Sequence, residues 1–177
     1  MEAIAIAVMS LDGCITKHDT AGPGFASEAD QAFFQRTLPT FDCALMGGAS
    51  YRAARERILA NPRPGHLRMV VTRAPEDLRG DTQPGALEFR AGDAAEALRD
   101  LAARGRRRCA LVGGPRLITG ALEAGLLDQL WLTIEPLAFG KGVRLVEGVV
   151  DFRFTLIDSE AIGPDTLLVR YRPVATA

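Results

Sequence analysis

Apolar residues in this chain fall in short dense runs, separated by stretches with helical spacing. Residues 3–9 (AIAIAVM) are apolar throughout and stop short of the turn signal Asp12-Gly13, which predicts a strand covered on both faces. Residues 43–46 (CALM), 67–72 (LRMVVT), 109–112 (CALV) and 130–134 (LWLTI) are runs of the same kind. Ser27 predicts the cap of a helix reaching about Leu38, with Asp30 at its third position and Ala29, Phe33 and Phe34 on one stripe. Ser50 is expected to cap a helix through Ala60, ended by Pro62, Pro64 and Gly65. Asp93 and Glu96 form a capping-box-like start for residues 94–103. Pro115 suits the first position of a further helix, and Gly125 suits its C-terminal cap. Gly22, Pro23 and Gly24 place residues 16–25 in a loop.

Toward the end the period changes to two. Val150, Phe152, Phe154 and Leu156 alternate with Asp151, Arg153 and Thr155, and Leu167, Val169 and Tyr171 alternate with Leu168, Arg170 and Arg172. This predicts an antiparallel hairpin with one covered face. Strands alternating with helices and closed by a hairpin give an α/β, three-layer αβα domain with a mainly parallel sheet and an antiparallel C-terminal hairpin. No linker-like stretch or repeat divides residues 1–177, so they read as one domain.

Composition narrows the function. Lys and Arg total 21 against 22 Asp and Glu, a net charge of −1, which excludes the basic excess that phosphate neutralisation on nucleic acid requires. No apolar run approaches the roughly 20 residues needed to span a bilayer. Glu2 opens the N-terminal apolar stretch where a signal peptide would carry basic residues. Cys14, Cys43 and Cys109 are odd in number and lack CxxC spacing, which reads as a reducing cytoplasmic setting without a disulfide framework. With His18 and His66 the only histidines, no metal site is expected.

Two strand–Gly-Gly–helix junctions carry the candidate chemistry: Met46-Gly47-Gly48-Ala49-Ser50 and Val112-Gly113-Gly114-Pro115. Each presents backbone N–H groups at a helix start without Cβ obstruction, which suits a phosphate or pyrophosphate. Tight turns that bind nothing would look the same. No Gly-Lys-Ser/Thr follows, so neither is a P-loop, and neither is a full GxGxxG fingerprint.

The ordered set is longer. Ser10-Leu11-Asp12-Gly13 follows the first strand. Leu45-Met46-Gly47-x-x-Ser50-Tyr51 comes next, then Gly113-Gly114-Pro115 leading into Ala121-Leu122-x-x-Gly125-Leu126-x-Asp128-x-Leu130-x-Leu132 and on to Pro136, Gly140, Gly142 and Leu145. Together these resemble the reductase domain of riboflavin biosynthesis and its dihydrofolate reductase-like relatives, over nearly the whole chain. The resemblance implies a dihydrofolate reductase-like fold and an NADPH-dependent reductase, a stand-alone member acting on a small-molecule substrate. It implies that Val112, Gly113, Gly114, Pro115, Arg116 and Leu117 receive the pyrophosphate. Gly47, Gly48 and Ser50 would lie beside the adenosine half, and Thr72 and Arg73 would meet the 2′-phosphate, where a permanent cation fits. It also implies a homodimer, with residues 130–139 and the terminal hairpin as the surface.

The chain departs from that pattern in places. Gly48 stands where the family often has Arg or Lys, Cys14 stands where it often has a cation, and residues 51–57 (YRAARER) lack the riboflavin-pathway D-x-P-x-L-x-x-R pattern. No H-x-E with P-C-x-x-C zinc deaminase pattern is present. Two further readings therefore stand beside the riboflavin-type reductase: an NADP(H)-binding sensor without turnover, and a dihydrofolate or pterin reductase.

A nicotinamide reductase needs one proton managed beside the hydride, and a carboxylate is the plausible handler. Three are candidates. Asp12 lies just past the first strand, and is equally a turn aspartate. Asp30 has Phe34 one turn later, an arrangement that resembles how dihydrofolate reductases hold their heterocycle, and is equally a first-turn helix acid. Glu135 ends a strand before Pro136, and is equally an edge residue. Ser10, Asp12, Asp30 and Phe34 are the expected substrate contacts. The run Arg104–Arg108 reads as a solvated connection, and Trp131 and Phe139 as packing residues.

Overall fold

A computed structural model describes residues 1–63 and 65–174; Pro64, expected to help end a helix, lies outside the described residues. In chain order the elements are β1 (Glu2–Ser10), α1 (Glu28–Thr37), β2 (Cys43–Gly47), α2 (Gly48–Ala60), β3 (Leu67–Val71), β4 (Leu87–Arg90), α3 (Ala94–Ala103), β5 (Arg108–Leu111), α4 (Pro115–Glu123), β6 (Gln129–Glu135), β7 (Phe154–Ala161) and β8 (Leu167–Pro173). The strands form one eight-stranded sheet in the order β4-β3-β2-β5-β1-β6-β8-β7. The pairings from β4 through to β6 are parallel, and β8 is antiparallel to both β6 and β7.

Covered on both faces, the central strands alternate between two cores. Ala3, Ala5, Cys43, Leu45, Cys109 and Leu111 face α3 and α4 with Leu98, Leu101, Ile118 and Ala121. Ile4, Ile6, Ala44 and Ala110 face Phe33, Leu38 and Phe41, while Met46 and Val70 pack with Tyr51 and Ile58 of α2. Helices therefore cover both faces. This is why the strand runs are continuously apolar rather than alternating.

Most helix ends follow local chemistry. Ser27 caps α1 through its hydroxyl to the Asp30 N–H, and Asp93 with Glu96 forms a complete capping box on α3. Gly125 follows the C-cap of α4 at φ 64°. Ser50 does not cap α2. The chain passes from β2 straight into the helix, Gly47 is the N-cap without a side-chain bond, and Ser50 lies inside the first turn.

Two features differ from expectation. β4 and a short 3-10 helix (Glu76–Asp81) were not legible, because four residues of strand carry no period and β4 exists through its ladder to β3. The first hairpin strand begins at Phe154 rather than Val150, and nearly all of it is exposed, so its partner β8 defines it and no covered face does. Within residues 130–139, Trp131 and Ile134 are half-buried and Leu137 is exposed. β6 is interior, between β1 and β8, with Leu130 and Leu132 buried.

Candidate active site

The two glycine turns meet. β2 and β5 are neighbours in the sheet, so their carboxyl ends open side by side into α2 and α4. A Cβ on Gly114 would lie 3.7 Å from the Cα and N of Gly47, and one on Gly113 would lie 3.0 Å from Ser50 Oγ. Gly113 (φ 97°) and Gly114 (φ 90°) hold backbone that L side chains rarely adopt. Neither α2 nor α4 has a side-chain cap. In α4 Pro115 has no N–H and the Leu117 N–H donates to the Gly114 carbonyl at 3.0 Å, so the N–H groups left for an anion are those that open α2 and that of Arg116. Pro115 opens α4, and the buried Leu117 packs against the same junction. Gly48 abuts Thr72 at the end of β3, where a Cβ would be 2.9 Å from Thr72 Oγ1. Arg73, the next residue, is exposed. Arg116 is held by Glu147 (Nε to Oε2 2.9 Å). Gly47, Gly48, Ser50, Thr72, Gly113, Gly114 and Leu117 thus come together, with Val112 leading in.

A second cluster lies across β1 from the first. On β6, Thr133 and Glu135 point to the α1 face at a period of two, and both are buried. The Thr133 hydroxyl donates to Asp30 Oδ1. Asp30 is 8% exposed, and burial raises its pKa above the ordinary value of 3.8; the Thr133 bond opposes the rise and the Glu135 charge adds to it. Glu135 Oε1 accepts from the Ser27 N–H at 2.9 Å, and Oε2 accepts from the Thr166 hydroxyl at 3.1 Å. Ser27 and Thr166 hydroxyls are 3.0 Å apart. Phe34, one turn beyond Asp30, is partly buried against the same core.

Asp12 has a different environment. Ser10 donates to Oδ1, while the Phe139 and Gly140 N–H groups donate to Oδ2 at 3.1 and 2.6 Å. These bonds, led by Ser10, lower its pKa to about 2. Ser10 itself pairs with Glu135 across β1 and β6 and receives the Cys14 N–H at 3.0 Å. The aspartate clasps the turn after β1 to the segment after β6. Further along, a Cβ on Gly142 would fall 2.3 Å from the Thr16 carbonyl, so only glycine lets those two backbones meet.

Other candidates are structural. Arg104 pairs with Glu88 and Asp100, Arg106 donates to the Asp42 and Gly65 carbonyls, and Arg108 pairs with Glu2 beneath the Phe41 ring. Trp131 packs between Phe33 and Phe41. Thr133, Thr166 and Ser27 as a carboxylate ligand escaped the sequence reading. Thr133 and Glu135 did leave a signal, as polar residues on one face of an otherwise apolar strand.

The sheet order, the antiparallel end and the paired glycine turns define a dihydrofolate reductase-like domain. The chain belongs to the family of the RibD C-terminal domain, whose model matches residues 3–168. It is similar in structure to a putative riboflavin biosynthesis protein from Shewanella sp. PV-4 at 20% identity and TM-score 0.73, covering 99% of this chain and 100% of that one. A pyrimidine reductase-like protein from Corynebacterium diphtheriae aligns at 18% identity and TM-score 0.79, over 99% of this chain and 92% of that one. The diaminohydroxyphosphoribosylaminopyrimidine deaminase/5-amino-6-(5-phosphoribosylamino)uracil reductase of Thermotoga maritima aligns at 16% identity and TM-score 0.72, over 98% of this chain but 56% of that one. No curated protein sequence matches the chain.

Proposed function

We propose that the chain is an NADPH-dependent reductase of small heterocyclic or sugar-linked substrates, of the kind named in its 5-amino-6-(5-phosphoribosylamino)uracil reductase relative. One observation carries this reading: two uncapped helix starts touch through Gly47 and Gly114, one strand away from the buried Asp30–Thr133 pair. The glycine surface fits a dinucleotide, because a Cβ at residue 113 would press on Ser50 Oγ and one at residue 114 would stand against Gly47, so glycine lets the two helix starts approach each other closely. Gly47, Gly48, Ser50 and residues 112–117 would hold the pyrophosphate and adenosine half, and Thr72 with Arg73 the 2′-phosphate. Bound NADPH supplies the hydride.

The proton falls to Asp30. Burial favours its neutral form, and Glu135, whose oxygens are engaged by Ser27 and Thr166, is the neighbouring charge. The Thr133 hydroxyl has two acceptors in reach, Asp30 and the Ala7 carbonyl at 3.4 Å. It donates to Asp30 when that carboxylate is charged. When Asp30 carries the proton, the hydroxyl turns to Ala7 and accepts from the acid, so both protonation states fit one heavy-atom arrangement. Glu135 positions α1 through Ser27. Asp12 orders the flanking loops and, with a pKa of about 2, holds no proton at neutral pH.

We place a homodimer contact on the hairpin, where the edge strand β7 exposes Leu156 (52%) and Ile157 (41%) beside Leu167 (40%).

Fluorescence titration with NADPH tests the cofactor, and loss of NADPH absorbance over a panel of aminouracil, dihydropterin and dihydrofolate substrates tests turnover. Absence of binding at micromolar cofactor overturns the reading. Binding without oxidation of NADPH on any substrate leaves the sensor function.

A further inference from the structure

Gly48 is glycine for a steric reason, and the consequence reaches one turn further along α2. A Cβ at this position would meet Thr72 Oγ1 at 2.9 Å and Thr72 Cβ at 3.0 Å, so no cationic side chain can start there without displacing the end of β3. The same point lies 3.5 Å from Nη1 of Arg52, the residue four positions later on the same helix face. The Arg52 guanidinium therefore folds back over the start of α2, into the volume that Gly48 leaves open.

That is an unfavourable place for a cation. The positive pole of the helix is there, and the first turn of α2 holds no acid. Arg55 on the same helix is bound by Asp81, and Arg90, Arg104, Arg108, Arg116 and Arg170 all have carboxylate partners. Among the described residues Arg52 has no ion pair and no hydrogen bond. Beside it, among the described residues, Thr72 Oγ1 accepts only the Ala74 N–H, at 3.5 Å, and its hydroxyl proton has no acceptor. A guanidinium, a free hydroxyl and uncapped N–H groups converge with nothing anionic between them.

We propose that Arg52 reads the 2′-phosphate of the cofactor, acting together with Thr72 through the gap at Gly48, and so makes the chain selective for NADPH over NADH. The proposal rests on the cofactor reading above. It assigns the discriminating charge to Arg52 as well as to Arg73.

The test is equilibrium binding, read by cofactor fluorescence and by calorimetry with 2′-AMP and 5′-AMP. Wild type, Arg52→Gln and Arg52→Lys are compared, with thermal melts showing that the variants fold. Arg52→Gln is expected to weaken NADPH and 2′-AMP at least tenfold while changing NADH and 5′-AMP less than twofold, and Arg52→Lys to restore part of the loss. Unchanged NADPH affinity, or equal weakening of NADPH and NADH, overturns the role of Arg52 and leaves the reductase reading standing. Wild-type protein that binds neither dinucleotide overturns both.

Discussion

Thr133 on β6 donates its hydroxyl proton to Asp30 on α1, joining the sheet to the first helix inside the buried part of the site. The carboxyl is the only member of the pair that titrates. Asp30→Asn keeps an acceptor for Thr133 but removes the proton. Turnover of a productive substrate should fall by roughly 10²- to 10⁴-fold, with NADPH affinity unchanged. Steady-state kinetics beside a binding titration would show this; equal loss in both would instead mean a structural role.

The same group sets a pH dependence. With its folded pKa raised above 3.8, Asp30 favours the folded state at low pH, and that contribution is lost as pH rises through the raised value. Thermal melts should therefore show Asp30→Asn stabilised relative to wild type at neutral pH, with the difference shrinking in acid.

His66 works in the opposite direction. It is 7% exposed, neither ring nitrogen has a hydrogen-bond partner among the described residues, and burial together with Arg68 and Arg63 lowers its pKa to about 4 from 6.5. The unfolded chain takes up a proton in that interval while the folded protein does not. Stability should drop by about 3 kcal/mol as pH falls from 7 to below 4. Denaturant titrations of wild type and His66→Phe across that range would show the dependence removed in the variant.

Gly114→Ala places a Cβ against Gly47 in a backbone conformation disfavoured for alanine. A cost of about 1–3 kcal/mol is expected, or several degrees in Tm, together with loss of dinucleotide binding. Arg73→Ala should leave the fold intact and weaken NADPH far more than NADH; equal weakening in fluorescence titration would remove its 2′-phosphate role.

Light scattering tests the hairpin surface. The wild type should be a dimer, and Ile157→Lys a monomer that retains cofactor binding.

The central sheet was legible because β1, β2 and β5 are buried on both faces and read as unbroken apolar runs. β4 was not, since pairing rather than burial makes it a strand, and for the same reason β7 was legible as half of a hairpin but not in its bounds. The glycine turns could be read from composition and position alone. That Gly48 touches Thr72, or that Thr133 rather than any charged residue partners Asp30, depends on chain segments far apart in sequence, which no local period connects. Ser50 was misread as a cap for a related reason. With no loop between β2 and α2, the N-cap is Gly47, three residues earlier than the Ser50 hydroxyl suggests.

β1 stands between β5 and β6. The glycine turns lie to one side of it, and the Asp30–Thr133–Glu135 cluster to the other. Mutations that refit one half need not disturb the other, because each is built on its own strands and its own helices. The glycine-lined half and the carboxylate half can therefore change independently of each other. Solved structures at 16–20% identity share the fold on which both halves are built.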